Sequence, residues 1–167
     1  LTALPAAEID AAVGCADTLL LVQPNNPDGQ RFSREQLLAW HADLAARSGR
    51  LIVDEAFLDA EPMASLVPLA GQPGLVVLRS VGKFFGLAGA RVGFVFAETG
   101  LLEKLADRLG PWAVSGPARA VTTAALADTA WQATARAQLA PDSQRLAALL
   151  DQHGLGGGAG TALFQWR

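Results

Sequence analysis

The sequence predicts an α/β fold, and three observations carry that prediction. Short apolar runs, TLLLV at 18–22, LIV at 51–53 and LVVL at 75–78, each stop at polar or turn-forming residues. One segment between the first two runs repeats apolar residues at helical spacing. Strand, helix and strand at this separation imply a right-handed parallel crossover.

Thr18–Val22 reads as a buried strand that ends at the turn cluster QPNNPDG. Ser33 opens a helix, with Gln36 as its capping-box partner. Leu37, Leu38, Trp40, Leu44 and Ala45 give that helix its apolar face, and Gly49 stops it. Leu51–Val53 is the second strand, followed by DEAF, and Leu75–Leu78 the third, followed by RSVGK. Val92–Phe96 (VGFVF) is a fourth. Helices are expected over Leu101–Leu109, which is amphipathic, over the Ala-rich Pro117–Trp131, and over Asp142–His153, with Leu146, Leu149 and Leu150 on one face. The run GLGGGAG then leads to a last strand, Ala162–Trp166. It lacks the strand before and the helix after that a phosphate loop needs, so it reads as a connector. The composition shifts near Asp128, which predicts a domain over 1–127 and the start of a smaller one over 128–167.

The totals exclude several classes. With 167 residues the chain holds one domain or part of a larger one. Its net charge is −3 with no basic block, so no nucleic-acid partner is expected. No apolar run is long enough to span a membrane. Leu1–Pro5 shows neither the basic start nor the cleavage site of a secretory leader. The single cysteine, Cys15, fits a reducing cytoplasm and a packing role. The chain starts without Met and ends on the unfinished-looking strand TALFQWR, so truncation at both ends is expected. Neither His41 nor His153 has a second ligand at metal spacing, and no metal is expected.

Open α/β sheets bind ligands beyond the carboxyl ends of their strands. Here those ends carry Asn25-Asn26-Pro27, Asp54-Glu55, and Ser80 to Lys83, with Arg91 downstream. Lys83 lies among glycines and phenylalanines. An apolar setting disfavours an ammonium, and a neutral amine can attack an aldehyde to form a Schiff base. A carboxylate against a pyridine nitrogen keeps that nitrogen protonated, and the ring then draws electrons from a bond at the substrate carbon. A serine and a forked arginine suit a phosphate.

The blocks PNNPDG, VDEAF and RSVGKFFGLAGARVGF, in that order, resemble the fold-type I aminotransferases that use pyridoxal phosphate. Within that superfamily the sequence looks most like the threonine-phosphate decarboxylases of cobalamin biosynthesis, with the histidinol-phosphate aminotransferases as near relatives. The finer likeness comes from Asp28 where aminotransferases usually have Thr, Phe57 where they usually have Tyr, KFFGLAGARVGF, and WAVSGPARAVTTAALADTAW. The resemblance implies a three-layer large domain with a mainly parallel sheet, joined to part of a smaller C-terminal α/β domain. It also implies that Lys83 forms the Schiff base with pyridoxal 5'-phosphate, that Asp54 pairs with the ring nitrogen, and that Asn26 bonds the ring oxygen. Ser80 and Arg91 would bind the cofactor phosphate, and the Asn26–Pro27 bond would be cis. Phe57 lacks the hydroxyl that Tyr would give the ring oxygen, which leaves more of that task to Asn26. The implied enzyme is a cytoplasmic homodimeric lyase acting on a small phosphorylated amino acid, converting threonine phosphate to aminopropanol phosphate and carbon dioxide.

Plainer roles stand beside these. Asp54 could cap a helix, Asn26 could serve only the turn, Arg91 could sit in an ion pair, and Ser80 could satisfy backbone. Glu55 reads as structural, and His41 as a satisfied residue on an apolar helix face. Two rival functions remain: an aminotransferase acting on a phosphorylated amino acid such as histidinol phosphate, and a catalytically silent fragment that serves as an interaction or folding unit.

Overall fold

The computed structural model describes residues 2–167, so Leu1, the first residue of the expected 1–127 domain, lies outside them. Four strands form one sheet in chain order: β1 (Thr18–Val22), β2 (Arg50–Asp54), β3 (Leu75–Ser80) and β4 (Gly93–Phe96). The first three are parallel, and β4 runs antiparallel against β3. Helix α2 (Arg34–Ala45) makes the crossover between β1 and β2. Its first turn is held by Ser33, whose Oγ accepts from the Gln36 N–H at 3.2 Å.

The core lies on one face of this sheet. Leu21, Leu51, Val53, Leu75 and Val77 point there and pack with Leu37, Trp40 and Leu44 of α2. Strand side chains alternate between faces, which is why every second residue of β2 and β3 joins this cluster. A short helix that the sequence reading does not anticipate, α1 (Ile9–Val13), adds Ile9 and Val13 to it. Asp10 of α1 accepts from the Trp40 indole N–H at 2.6 Å. His41 is buried and its Nε2 lies 2.9 Å from the Pro73 carbonyl, a satisfied residue as expected. The opposite face is more open: Leu20 is 56% exposed and Val95 40%.

The later chain departs from expectation in its boundaries. Helix α3 (Thr99–Leu109) falls where expected but buries none of its residues. The single helix expected over Pro117–Trp131 is two: α4 (Gly116–Ala127) ends, and the Asp128 carboxylate accepts from the Trp131 N–H at 2.9 Å to cap α5 (Thr129–Gln152). Helix α5 passes through Pro141, so the start expected at Asp142 lies 13 residues late. Tertiary contacts on both sides of the proline hold it. Trp131 stacks on Phe85 and meets the edge of Phe84, while Ser143 donates to the Thr161 carbonyl at 3.0 Å. The expected strand Ala162–Trp166 is shorter, β6 (Gln165–Trp166). It pairs antiparallel with β5 (Ala159–Gly160), cut from the glycine run read as a connector. Among the described residues no helix is long and apolar enough to cross a membrane.

Candidate active site

Register brings the strand ends level. Val22 stands opposite Asp54, Asp54 opposite Leu78, and Ser80 opposite Gly93. The segments after β1, β2 and β3, and the segment entering β4, therefore share one edge of the sheet.

After β1 the chain turns sharply. Gly29 N–H donates to the Asn25 carbonyl at 2.8 Å, and Asn25 N–H to the Gln30 carbonyl at 2.9 Å. The Asp28 carboxylate accepts from the Gln30 N–H at 3.0 Å and the Asn25 amide at 2.8 Å. These bonds, the backbone one foremost, hold its carboxyl below the ordinary 3.8. Asp28 thus builds the turn that presents Asn26. Asn26 is exposed, and its side chain makes no hydrogen bond among the described residues. The Asn26–Pro27 bond is cis, as the resemblance implies, and so is Gln23–Pro24.

Asp54 is half-buried at the end of β2, and its Oδ1 accepts from the Ala56 N–H at 2.9 Å. Its Oδ2 takes no protein donor among the described residues. Ser80 Oγ accepts from the Gly82 N–H at 3.0 Å, so the backbone-satisfying role weighed for it is real; its hydroxyl proton stays available. A Cβ on Gly82 would meet Ser80 Oγ at 3.2 Å and the Ala88 Cα at 3.4 Å, which marks how tightly the loop folds over the serine.

Lys83 corrects the sequence reading. It is exposed rather than enclosed by the apolar residues around it. The phenylalanine beside it explains the difference: Phe84 is 6% exposed and turns inward to Trp131, which leaves Lys83 on the outer side of the turn. The Lys83 Nζ lies 5.1 Å from the centroid of the Phe57 ring, three residues beyond Asp54, and Phe57 meets Phe164 edge-on at 5.1 Å. Arg91 is exposed, with its Nη1 donating to the Ala88 carbonyl at 3.3 Å; among the described residues it has no carboxylate partner. Its φ of 54° is left-handed, a conformation that costs an ordinary residue about 1–2 kcal/mol and that recurs at ligand clamps. A concavity of about 450 Å³ lies between Arg31, α5 and the β5–β6 hairpin, and none of the predicted site residues lines it.

Behind the edge lies a buried ionic cluster that the sequence reading missed. Glu55 is fully buried and accepts from Ser65 Oγ at 2.5 Å, the Leu66 N–H at 2.7 Å and Arg79 Nη1 at 3.0 Å. Arg79 also binds Asp59 through Nη2. Burial pushes the Asp59 carboxyl above 3.8 despite Arg79 and Arg136 nearby, and its Oδ2 has no hydrogen-bond partner among the described residues. The signal was present: Arg79 alternates with Val77 on the core face of β3, and an inward arginine demands an acid.

The sequence matches the model of the aminotransferase class I and II family over residues 6–167. The chain belongs to that family. A threonine-phosphate decarboxylase of Pseudomonas aeruginosa is 52% identical over 95% of this chain and 48% of its own length. A threonine-phosphate decarboxylase of a Sinorhizobium species is 45% identical over 95% and 47%. The chain thus spans about half the length of these curated aminotransferase-family relatives. Among solved members, the histidinol-phosphate aminotransferase of Sinorhizobium meliloti, in complex with pyridoxal-5'-phosphate, superimposes with a TM-score of 0.80 at 27% identity, covering 92% of this chain and 42% of that one. The L-threonine-O-3-phosphate decarboxylase of Porphyromonas gingivalis gives 0.54 at 26% identity, covering 61% and 31%. The mostly parallel aminotransferase-family sheet predicted from the sequence is therefore the fold observed.

Proposed function

We propose that the protein is a pyridoxal-phosphate-dependent lyase that decarboxylates L-threonine O-3-phosphate to aminopropanol phosphate. The observation that carries the reading is identity: 52% and 45% to proteins named threonine-phosphate decarboxylase, each over 95% of the chain. The histidinol-phosphate aminotransferases align at 32–40% over 65–75% of it.

The residues at the sheet edge fit the cofactor. Asp54 keeps Oδ2 free of protein donors, which suits a protonated ring nitrogen. Ser80 retains a hydroxyl proton and Arg91 has no competing carboxylate, which suits a phosphate. Asn26 offers an unengaged amide for the ring oxygen, and Lys83 offers an amine for the aldehyde. When bound, pyridoxal phosphate supplies an electron-accepting ring conjugated to the substrate's α-carbon. Asp54 would hold the proton on the ring nitrogen when the cofactor is bound. In the net reaction the bond from the α-carbon to the carboxylate breaks, carbon dioxide leaves, and a proton takes its place. Contacts to the substrate phosphate would supply remote binding that sets the orientation of the substrate. A homodimer belongs to the same proposal and rests on the family resemblance, a cytoplasmic location rests on the single cysteine, and a domain division at Asp128 rests on the compositional shift there.

Incubation with pyridoxal phosphate, borohydride reduction and peptide mapping test the assignment. A label is expected at Lys83; its absence would support the silent-fragment reading. Carbon dioxide release from threonine phosphate should need no added 2-oxo acid. A strict requirement for one would identify an aminotransferase instead.

A further inference from the structure

Two adjacent residue pairs straddle the sheet. Asp54 and Ser80 close β2 and β3 on the open face, since Val53 and Val77 belong to the core face and strands alternate. Their chain neighbours, Glu55 and Arg79, turn to the covered side. There the Arg79 guanidinium spans two carboxylates, Glu55 at 3.0 Å and Asp59, and touches Ser65 Oγ at 3.2 Å. Glu55 extends the parallel ladder, its N–H donating to the Leu78 carbonyl at 2.9 Å. A second arginine reaches the cluster from α5. Arg136 Nε donates to the Asp59 carbonyl at 2.8 Å, and its guanidinium lies 5.1 Å over the ring of Phe84, the residue after Lys83.

We infer that Arg79 is a positioning residue, whose guanidinium between Glu55 and Asp59 fixes the turn after β2 and the turn after β3 at one spacing, and so sets Asp54 against Ser80 and Lys83. Asp54, Ser80 and Lys83 carry chemistry only under the function proposed above, so Arg79's part in catalysis rests on that reading. A buried ion cluster is weak as a source of stability, because apolar residues of the same volume often do as well or better. It is strong as a geometric constraint. Five rigid donors match two carboxylates in one arrangement, which a lysine cannot reproduce. The unpartnered Oδ2 of Asp59 fits the same view, since a cluster selected for stability alone would not leave a buried oxygen unpaired.

Two amides report on the turns directly. Ala56 N–H is held by Asp54 Oδ1, and Gly82 N–H by Ser80 Oγ. The test compares the full polypeptide with two variants, Arg79→Lys and the triple Glu55→Gln, Asp59→Asn, Arg79→Met. The triple removes all three charges together, and Gln at 55 keeps an acceptor for the Leu66 N–H. In the cofactor-free proteins, Ala56 and Gly82 are expected to exchange hydrogen on the order of tenfold faster in both variants, while Val53 and Val77 keep parental protection. With pyridoxal phosphate bound, the pH midpoint of its absorbance should shift, and turnover should fall about 10²-fold with KM little changed. Parental exchange at Ala56 and Gly82 in a folded triple variant overturns Arg79's role, whether or not the cofactor binds. Should the triple fail to fold, Arg79→Lys decides on the same amides. A parent protein that takes no label at Lys83 overturns the proposed function instead, and the exchange rates still decide whether Arg79 holds the turns.

Discussion

Asp54 and Asp59 are five residues apart and meet opposite surroundings. Asp54 gives one oxygen to the Ala56 N–H and keeps the other free. Under the proposed function, Asp54→Ala leaves the cofactor able to attach at Lys83 but slows turnover by roughly 10²–10³, the range for losing one electrostatic stabiliser. Single-turnover kinetics with threonine phosphate would check this, and unchanged turnover would remove Asp54 from the mechanism. Asp59 is buried, which raises its carboxyl above 3.8. The folded state therefore holds that proton more tightly than the unfolded chain. The resulting stability is complete below 3.8 and is lost as pH rises through the raised value. Asp59→Asn should flatten the fall in melting temperature over that window, as measured by calorimetry across the acid range. Asp28 has the opposite sign. Its lowered carboxyl contributes above 3.8, and that contribution is lost as pH falls through the lowered value.

At the scale of elements, α5 offers the clearest energetic test. Pro141 removes a donor from the interior of a 24-residue helix, and a proline there is about 3 kcal/mol worse than alanine. Pro141→Ala should raise the thermal midpoint by up to that equivalent, seen in a far-UV melt. Ser33→Ala should act the other way on α2, costing about 1 kcal/mol for the lost cap. The four main strands and α2 were legible because each joins a sustained apolar period to a turn or cap: β1 runs over the expected Thr18–Val22. Helix α1 was not legible, since five residues carry too few turns to display a period. The first half of the hairpin, β5, was hidden for a different reason. Its pairs, Ala159 with Trp166 and Gly160 with Gln165, are made by backbone, and glycines show no side-chain pattern. Asp128 marked a compositional shift and proved to be a helix cap, a role that capping rules alone could have assigned.

Over the whole molecule, the candidate site was legible as an order of polar residues along one sheet edge. Its exposure was not. Flanking composition cannot tell which of two neighbours, Lys83 or Phe84, turns inward. Nor can sequence reveal the contact that ties the Asn26 turn to the β5–β6 hairpin. Gly29 has a φ of 70°, and a Cβ there would meet the Gly160 carbonyl oxygen at 2.8 Å. Arg31 donates to the same carbonyl at 3.3 Å and pairs with Glu61 at 2.7 Å. Gly29→Ala should therefore cost about 1–2 kcal/mol from handedness alone and should loosen the hairpin, readable as faster exchange at the Thr161 amide. Helix α5 connects this contact to the other side of the site. It is anchored at Trp131 and Arg136 beside the turn that carries Lys83, and fastened through Ser143 to Thr161 beside the Asn26 turn. Trp131 and Ser143 are 12 residues apart, about 18 Å of helix, so a tilt of about 5° at the first moves the second by about 1.6 Å. The helix is thus a strut, which braces the turn that carries Lys83 against the hairpin resting on the Asn26 turn.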